Sequence, residues 1–349
     1  MQMQEYADRT ILFITRKWPP AMGGMETYCW ELAQRLGRLG LLTVIALPGR
    51  KGGSVPTMPA MLWFGLSTSF RLLTRKPASV AHIGDLAIWP LAWIAKLRGP
   101  KTKIVISLHG SDVNFANGQG IASRMYKAYI RLGARLLKRT RLVANSEWIA
   151  SLARAHGYSD IIIVPLATTL KADKAPVDHN GALLFAGRIT PSKGLGFIVR
   201  QVLPLLDGSV RIRVAGSIWD QREAELLKHP QVEYLGVLGS DQLAAEYAQA
   251  MCVLVPSQTS EGFGLVAAEA AACGGVVIAS AHSGLAEVVA PELGFVADAY
   301  DAAAWAKRIQ LIAGWKADER TRFTSAAMAF AQRKYDWDRV AAETVAAYR

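Results

Sequence analysis

The sequence predicts an α/β protein built on two doubly wound parallel sheets, and three observations carry that reading. Short β-branched or aliphatic runs alternate with helix-length segments along nearly all 349 residues. Such alternation gives parallel strands with helices on both faces. Twelve runs suit two sheets better than one. The stretch ATTLKADKAPVDHNG at 167–181 is polar, has no period and carries Pro176 and Gly181, so it divides the runs six and six.

The strand candidates of the first half are 11–15, 43–47, 80–83, 103–108, 141–144 and 161–164. Those of the second are 182–185, 211–215, 232–235, 252–255, 276–279 and 294–296. A chain of this length is long for one core and fits two domains. The composition is 51% hydrophobic and 19% charged, which is globular and excludes disorder. No apolar run approaches the roughly 18–20 residues that span a bilayer. MQMQEYADRT lacks the basic-then-apolar pattern of a secretory leader. Cys29, Cys252 and Cys273 are far apart, so reduced core thiols in a cytoplasmic protein are expected, with neither disulfides nor a zinc site.

Charge is uneven. Residues 1–170 hold 22 Lys+Arg against 8 Asp+Glu, and residues 171–349 hold 18 against 20. Nucleic acid, an anionic membrane or an anionic substrate would each account for a basic first half. Nucleic acid is disfavoured, because the basic stripe has no interleaved aromatic stacking platform.

Open parallel sheets bind ligands beyond the carboxyl ends of their strands, so the informative residues are those that follow strands. After 252–255 comes SEGFGLVAAEAAACGG. Its alanine-rich part favours helix, so the backbone N–H groups of Gly262, Phe263, Gly264 and Leu265 form an open helix start, a ready anion site. Eight residues of helix rise about 12 Å, on the order of the span from a sugar past a diphosphate to a ribose. Glu261 and Glu269 would then suit sugar hydroxyls and a ribose diol; the alternative is a glutamate favoured near a helix start by the dipole and a second, exposed one. After 182–185, GRITPSKG sets Arg188 and Lys193 where two cations neutralise a departing diphosphate, one as a fork and one as a point charge. After 11–15, Gly23 and Gly24 open a helix whose apolar positions are Tyr28, Leu32 and Leu36; Glu26 in its first turn is read as a dipole complement. After 103–108 stands His109, which at a strand mouth can donate to a substrate oxygen or carry a proton, though a lone His of this kind is more often structural.

These stretches bring out a resemblance. PPAMGGMET, SLHGSDV, VANSEWIASLARAHG, FAGRITPSKG, PSQTSEGFGLVAAEAAACGG, SGLAEVV and YDWDRVAAETVAAYR occur in that order, and the chain resembles a family-4 retaining glycosyltransferase of GT-B fold. The E-x7-E element with G-R-x4-K-G upstream is the specific part. The resemblance implies two Rossmann-like doubly wound domains facing across a cleft. Residues 1–166 would form an acceptor-binding domain, 167–181 a linker and 182–336 a nucleotide-sugar-binding domain, with the helix 337–349 returning to the first. It implies that Gly24 and the N–H groups of Phe263, Gly264 and Leu265 hold the donor diphosphate, and that Arg188 and Lys193 stabilise the leaving nucleoside diphosphate. Glu261 would bind donor-sugar hydroxyls, Glu269 the ribose, and His109 would lie beside the reacting carbon. The pattern departs at Pro165-Leu166-Ala167, where Pro-Asn-Gly is common, at Leu42 for a common histidine, and at Gly275-Val276 for Pro-Val. None of these removes a charged group that the chemistry needs.

A family-style mechanism has the acceptor hydroxyl attack the face from which the diphosphate leaves, a phosphate oxygen taking the proton. The protein supplies positioning and charge stabilisation. No cofactor or metal is expected, with a UDP- or GDP-sugar as co-substrate. Asp336-Trp337-Asp338 is literally D-x-D, but it precedes a helical stretch and reads as an N-cap.

Arg124, Lys127, Arg131, Arg135 and Lys138 recur at steps of three and four, a basic stripe on one helix, with Met125, Tyr129, Leu132 and Leu136 expected inward. The stripe makes contact with anionic lipid heads reasonable. The apolar stretch MLWFGLSTSFRLLTRK at 61–76 either covers a lipid-linked acceptor or packs in the core. The reading is a hexosyltransferase of surface polysaccharide or glycolipid assembly, cytoplasmic and peripheral on the inner membrane face, with a saccharide or polyprenyl-diphosphate-linked acceptor. The alternatives are a sugar-nucleotide epimerase of the same architecture and a non-catalytic binding protein.

Overall fold

A computed structural model describes residues 10–21, 23–38, 41–50, 53–174, 178–289 and 291–349. The stretch 1–9, read above for a leader, and Pro176 of the expected linker lie outside them.

All twelve expected runs form strands, with bounds shifted by at most two residues. They are β1 (Thr10–Thr15), β2 (Leu41–Ala46), β3 (Val80–Ile83), β4 (Lys103–Leu108), β5 (Arg141–Ala144) and β6 (Ile161–Ile163) in the first half. The second half supplies β7 (Leu183–Ala186), β8 (Ile212–Ala215), β9 (Val232–Gly236), β10 (Cys252–Val255), β11 (Val277–Ser280) and β12 (Gly294–Ala297). One sheet has the order β2-β1-β3-β4-β5-β6 and the other β12-β11-β10-β7-β8-β9. Every pairing within them is parallel. These are two Rossmann-like parallel sheets of GT-B type. Strands β3, β7, β10 and β11 are buried along their whole length, which is why VAHI, LLFA, CVLV and VIAS show no alternation. The strand order reverses between β1 and β3 in one sheet and between β7 and β10 in the other. Crevices at such reversals are where open sheets take ligands.

The chain divides into two compact units. The first runs to Leu166 and includes Trp337–Arg349; the second is Ala167–Asp336. In the first, the terminal helix Trp337–Ala346 is tied down by a buried polar chain. Tyr348 Oη meets His82 Nδ1 at 2.8 Å, His82 Nε2 meets Ser107 Oγ at 2.8 Å, and Ser107 meets Tyr28 Oη at 3.1 Å. Burial holds the His82 imidazole neutral, pulling its pKa down to about 3, and pushes the Tyr28 phenol up to about 12. Tyr28, Leu32 and Leu36 are buried as the first helix predicts. In the second unit, the helix Leu265–Ala272 buries Ala267, Ala268, Ala270, Ala271 and Ala272, and alanines let it lie close to the helix Ala317–Lys334, which buries Ala327 and Ala331. The cysteines are free and buried, and burial pushes all three thiols up to about 12.

Two expectations need correction. The helix Ile121–Leu136 buries Ser123, Ile130, Gly133 and Ala134, not Met125, Leu132 and Leu136, which are exposed; Tyr129 is half-buried. The period was right and the phase was wrong. Small residues bring this helix close, since a side chain at Gly133 would meet Tyr158 Oη at 2.7 Å and Trp89 Cδ2 at 2.9 Å. The helix Met58–Thr74 buries only Phe64, Thr68 and Leu72, so most of the 61–76 stretch does not pack in the core.

Candidate functional site

The sequence-predicted residues of the second unit collect at its strand-order reversal. Arg188 and Lys193 follow β7, and Glu261 follows β10. Lys193 closes a short 3-10 turn, Pro191–Lys193, and its Nζ lies 2.9 Å from Glu261 Oε1. Ser257 Oγ donates to the same carboxylate oxygen. The turn approaches β10 because residue 194 is glycine: its φ is +79°, and a Cβ there would meet the Pro256 carbonyl oxygen at 1.9 Å. The half-buried ion pair and the buried hydroxyl thus meet at the reversal, where an incoming anion or diol can compete for the pair.

Beyond Glu261 the chain turns into Leu265–Ala272 through Gly264, which has φ +116° and no side-chain cap. A side chain at 264 would meet Leu285 Cδ1 at 2.6 Å, so glycine is required by conformation and by space. The helix dipole, with N–H groups uncapped by any side chain, presents positive potential at Gly264 and Leu265. Phe263 is buried edge-on to Tyr335 at 5.5 Å, anchoring the turn. Glu269 lies two turns along, where Tyr247 Oη donates to its Oε2 at 3.3 Å. Burial raises its carboxyl pKa to about 7. Only above that pH is the carboxyl mainly ionised and able to accept hydrogen bonds with both oxygens.

Three residues escaped the sequence reading. Trp219, just after β8, lies under Arg188, with the guanidinium carbon 4.9 Å from the ring centroid. The loops that carry them are sewn together: Ile189 N donates to Ser217 O at 2.9 Å and Trp219 N to Ile189 O at 3.2 Å. Ser283, just after β11, holds φ +57° and accepts from Glu261 N at 2.9 Å, while Gly284 N donates to Glu261 O at 3.0 Å. His282 Nε2 donates to Ser257 O at 2.9 Å. Together with Ser257, His282 and Ser283 brace Glu261. The signal was positional, since each follows a strand.

In the first unit, strand ends β1, β3 and β4 also gather charged groups, and these are internally paired. Arg16 Nε contacts Asp85 Oδ2 at 3.0 Å, Asp85 being fully buried. Lys17 Nζ is 3.5 Å from Glu26 Oε1, and Glu26 folds back so far that a Cβ on Gly23 would meet its Oε2 at 2.5 Å. The helix Gly24–Leu36 therefore has a carboxylate of its own beside Gly23 and Gly24. His109 Nε2 donates to Gly84 O at 2.9 Å, and its ring stands edge-on to Tyr28 at 4.7 Å. Its Nδ1 is buried without a hydrogen-bond partner among the described residues, which leaves one acceptor available. Asp112 Oδ1 accepts from His109 N and Gly110 N at 3.0 and 2.8 Å and fixes that turn.

Other candidates lie apart. Asp336 pairs with Lys171 at 3.0 Å and Asp338 with Arg35 at 3.0 Å, so the D-x-D residues serve ion pairs. No group of three or more His, Cys, Asp or Glu side chains able to hold a metal occurs among the described residues. Arg124, Arg131, Arg135 and Lys138 are exposed and Lys127 is half-buried.

With this geometry in hand, comparison with known proteins is decisive. Residues 22–170 match the model of glycosyltransferase family 4, and residues 180–313 that of glycosyl transferases group 1. The chain is a GT-B-fold relative of the family-4 glycosyltransferases. It is 38% identical over 191 residues to the D-inositol 3-phosphate glycosyltransferase of Xylanimonas cellulosilytica, covering 50% of this chain and 43% of that one. It is 31% identical over 182 residues to an uncharacterised glycosyltransferase of Methanocaldococcus jannaschii, covering 49% and 45%. The match thus spans under half the length of these curated relatives. Among solved structures, sucrose-phosphate synthase of Thermosynechococcus elongatus superposes with TM-score 0.78 at 18% identity, covering 98% of each chain. Anabaena HepE in complex with UDP and glucose gives 0.73 at 17%, covering 97% of this family-4 relative and 99% of HepE. These likenesses speak to fold.

Proposed function

We propose that the protein is a retaining hexosyltransferase, moving a hexose from a nucleoside diphosphate sugar to a saccharide or polyprenyl-diphosphate-linked acceptor in surface polysaccharide or glycolipid assembly. The observation that supports it best is the Lys193–Glu261–Ser257 cluster astride the β7/β10 reversal, next to the uncapped start of Leu265–Ala272. Donor binding replaces the internal pair: diphosphate oxygens take Lys193 and the helix-start N–H groups, and sugar hydroxyls take Glu261. Arg188, held on Trp219, receives the leaving diphosphate. The attacking hydroxyl loses its proton to a phosphate oxygen of that leaving group. Preorganised donors of this kind are each worth about 3 kcal/mol in the transition state. The donor in HepE's complexes, UDP-glucose, supports a UDP-sugar as the first to try.

The same reading places the enzyme peripherally on the inner, anionic membrane face through its basic first unit. No helix among the described residues is long and apolar enough to cross a membrane. Incubation with UDP-, GDP- and ADP-sugars in EDTA, with and without acceptor lipids, tests the activity through release of free nucleotide. Release with one donor is expected; silence with the whole panel refutes the assignment. Flotation with anionic liposomes tests the docking.

A further inference from the structure

We propose that the first unit carries a binding site for one anionic phospholipid beneath the carboxyl-terminal end of the helix Met58–Thr74, at the opposite pole of its sheet from the strand carboxyl ends. This deepens the membrane reading above and rests on it. A cavity of about 320 Å³ opens there, at the low end of ligand-pocket volumes. Its walls are mostly apolar: Ile11, Leu12, Ile45, Leu72, Ala81 and Ala95, all buried, beside the hydroxyls of Thr10, Thr43 and Thr102. Four cations, Arg71, Arg75, Lys76 and Arg98, also line it, and all are exposed. Among the described residues none of them makes an ion pair and no carboxylate side chain lines the cavity. Arg98 Nε donates to Leu73 O at 3.1 Å, which holds the guanidinium at the helix end.

This combination selects the ligand. A helix carboxyl terminus carries about half a negative charge, which by itself repels anions; four cations overturn that sign. Yet the interior offers an incoming group little beyond hydrocarbon, with no aromatic ring for a base and no carboxylate for a ribose. An anionic head with an attached alkyl chain satisfies both parts. The helix above supplies the route. Met58, Leu62, Leu66, Phe70 and Leu73 recur at steps of four and three, and with Trp63 they form an apolar face that none of the unit's described residues covers: Trp63 is 71% exposed, Leu66 68% and Phe70 68%. A helix with such a face and a basic end lies in the bilayer interface, and lipid leaving that interface meets the four cations first. The cavity begins at Thr10, the first residue of β1, while Arg16 at the other end of the strand belongs to the strand-end cluster. Six steps of extended chain set them about 20 Å apart, so lipid binding and transfer are separable by mutation.

The test uses the full chain and dihexanoyl phosphatidylglycerol below its micelle concentration, titrated by calorimetry against dihexanoyl phosphatidylcholine and glycerol 1-phosphate. Expected is saturable one-to-one binding of the anionic lipid, at least about tenfold tighter than either control. The double variant Arg75→Glu, Arg98→Glu should lose that binding and keep nucleotide release; both residues are exposed, and far-UV circular dichroism checks the fold. Leu66→Ser with Phe70→Ser should keep short-chain lipid binding but cease to float with liposomes. Equal binding of glycerol 1-phosphate means an anion site only, equal binding of phosphatidylcholine means an apolar site only, and either overturns the proposal, as does no binding at all. Flotation of a protein that does not bind the short-chain lipid overturns the cavity and leaves docking intact; binding by a protein that does not float supports the cavity and removes docking.

Discussion

The two units share a fold and differ in what they do with charge at their strand ends. In the first, Arg16 is committed to fully buried Asp85, and Lys17 to Glu26. Most of its other described cations lie on helices or at the opposite pole. In the second, Lys193 and Glu261 form a half-buried pair and Arg188 rests on an indole that is itself exposed. Breaking a buried pair leaves an uncompensated charge and costs about 3–5 kcal/mol, whereas an exposed pair is worth at most about 1 kcal/mol. We propose on this ground that the first unit's pairs are structural and that the second unit's, with its more exposed carboxylate, is the one a ligand displaces. A scaffold that holds its shape in one half leaves the other free to exchange partners.

The sharpest way to break this contrast is Lys193→Ala. Turnover should fall about a hundredfold or more, while thermal stability changes little because the pair is partly solvated. Unchanged turnover would show that the pair is ornamental. Asp85→Asn should do the reverse to stability. It leaves Arg16 facing a neutral partner in a buried setting and should lower stability by about 3 kcal/mol, measured by urea unfolding; a loss within error would mean that the first unit's pair is no more structural than the second's.

Next in size are two opposite pH dependences. His82 titrates near 3 in the native state, below its ordinary value of 6.5, so its neutral form is favoured by folding. That stability is present above 6.5 and is lost as pH falls toward 3. Glu269 titrates near 7, above its ordinary 4.5, so its contribution is present below 4.5 and is lost as pH rises through 7. Glu269→Gln should therefore raise the melting temperature at pH 8 and weaken nucleotide binding about tenfold, with the wild type's affinity rising between pH 6 and 8. A variant that binds as well as the wild type removes Glu269 from the ribose role. The smallest effect is expected at Trp219. Trp219→Ala should cost about 1 kcal/mol of transition-state stabilisation through Arg188, Trp219→Phe much less, seen in kcat rather than KM.

Much of this was legible in the sequence, because parallel strands buried on both faces leave uninterrupted aliphatic runs such as CVLV and LLFA. The strand-end rule likewise singled out Arg188, Lys193 and Glu261, which the fold brings to one strand-order reversal. What sequence could not show was phase and partnership. Met125, Leu132 and Leu136 have the right period for a core face, but Gly133 and Ala134 let the other side approach more closely, so the larger residues face outward. The brace of Ser257, His282 and Ser283 around Glu261 joins residues up to 26 positions apart, and no local pattern encodes such a link.

The central claim is that a nucleoside diphosphate binds the second unit at the β7/β10 reversal by displacing Glu261 from Lys193. Calorimetric titration of UDP and GDP in EDTA, against wild type and the Arg188→Ala, Lys193→Ala double variant, tests it directly. The account predicts one site for one of the two nucleotides, weakened at least about tenfold in the double variant. Equal affinity in both proteins, or no binding of either nucleotide, would contradict it.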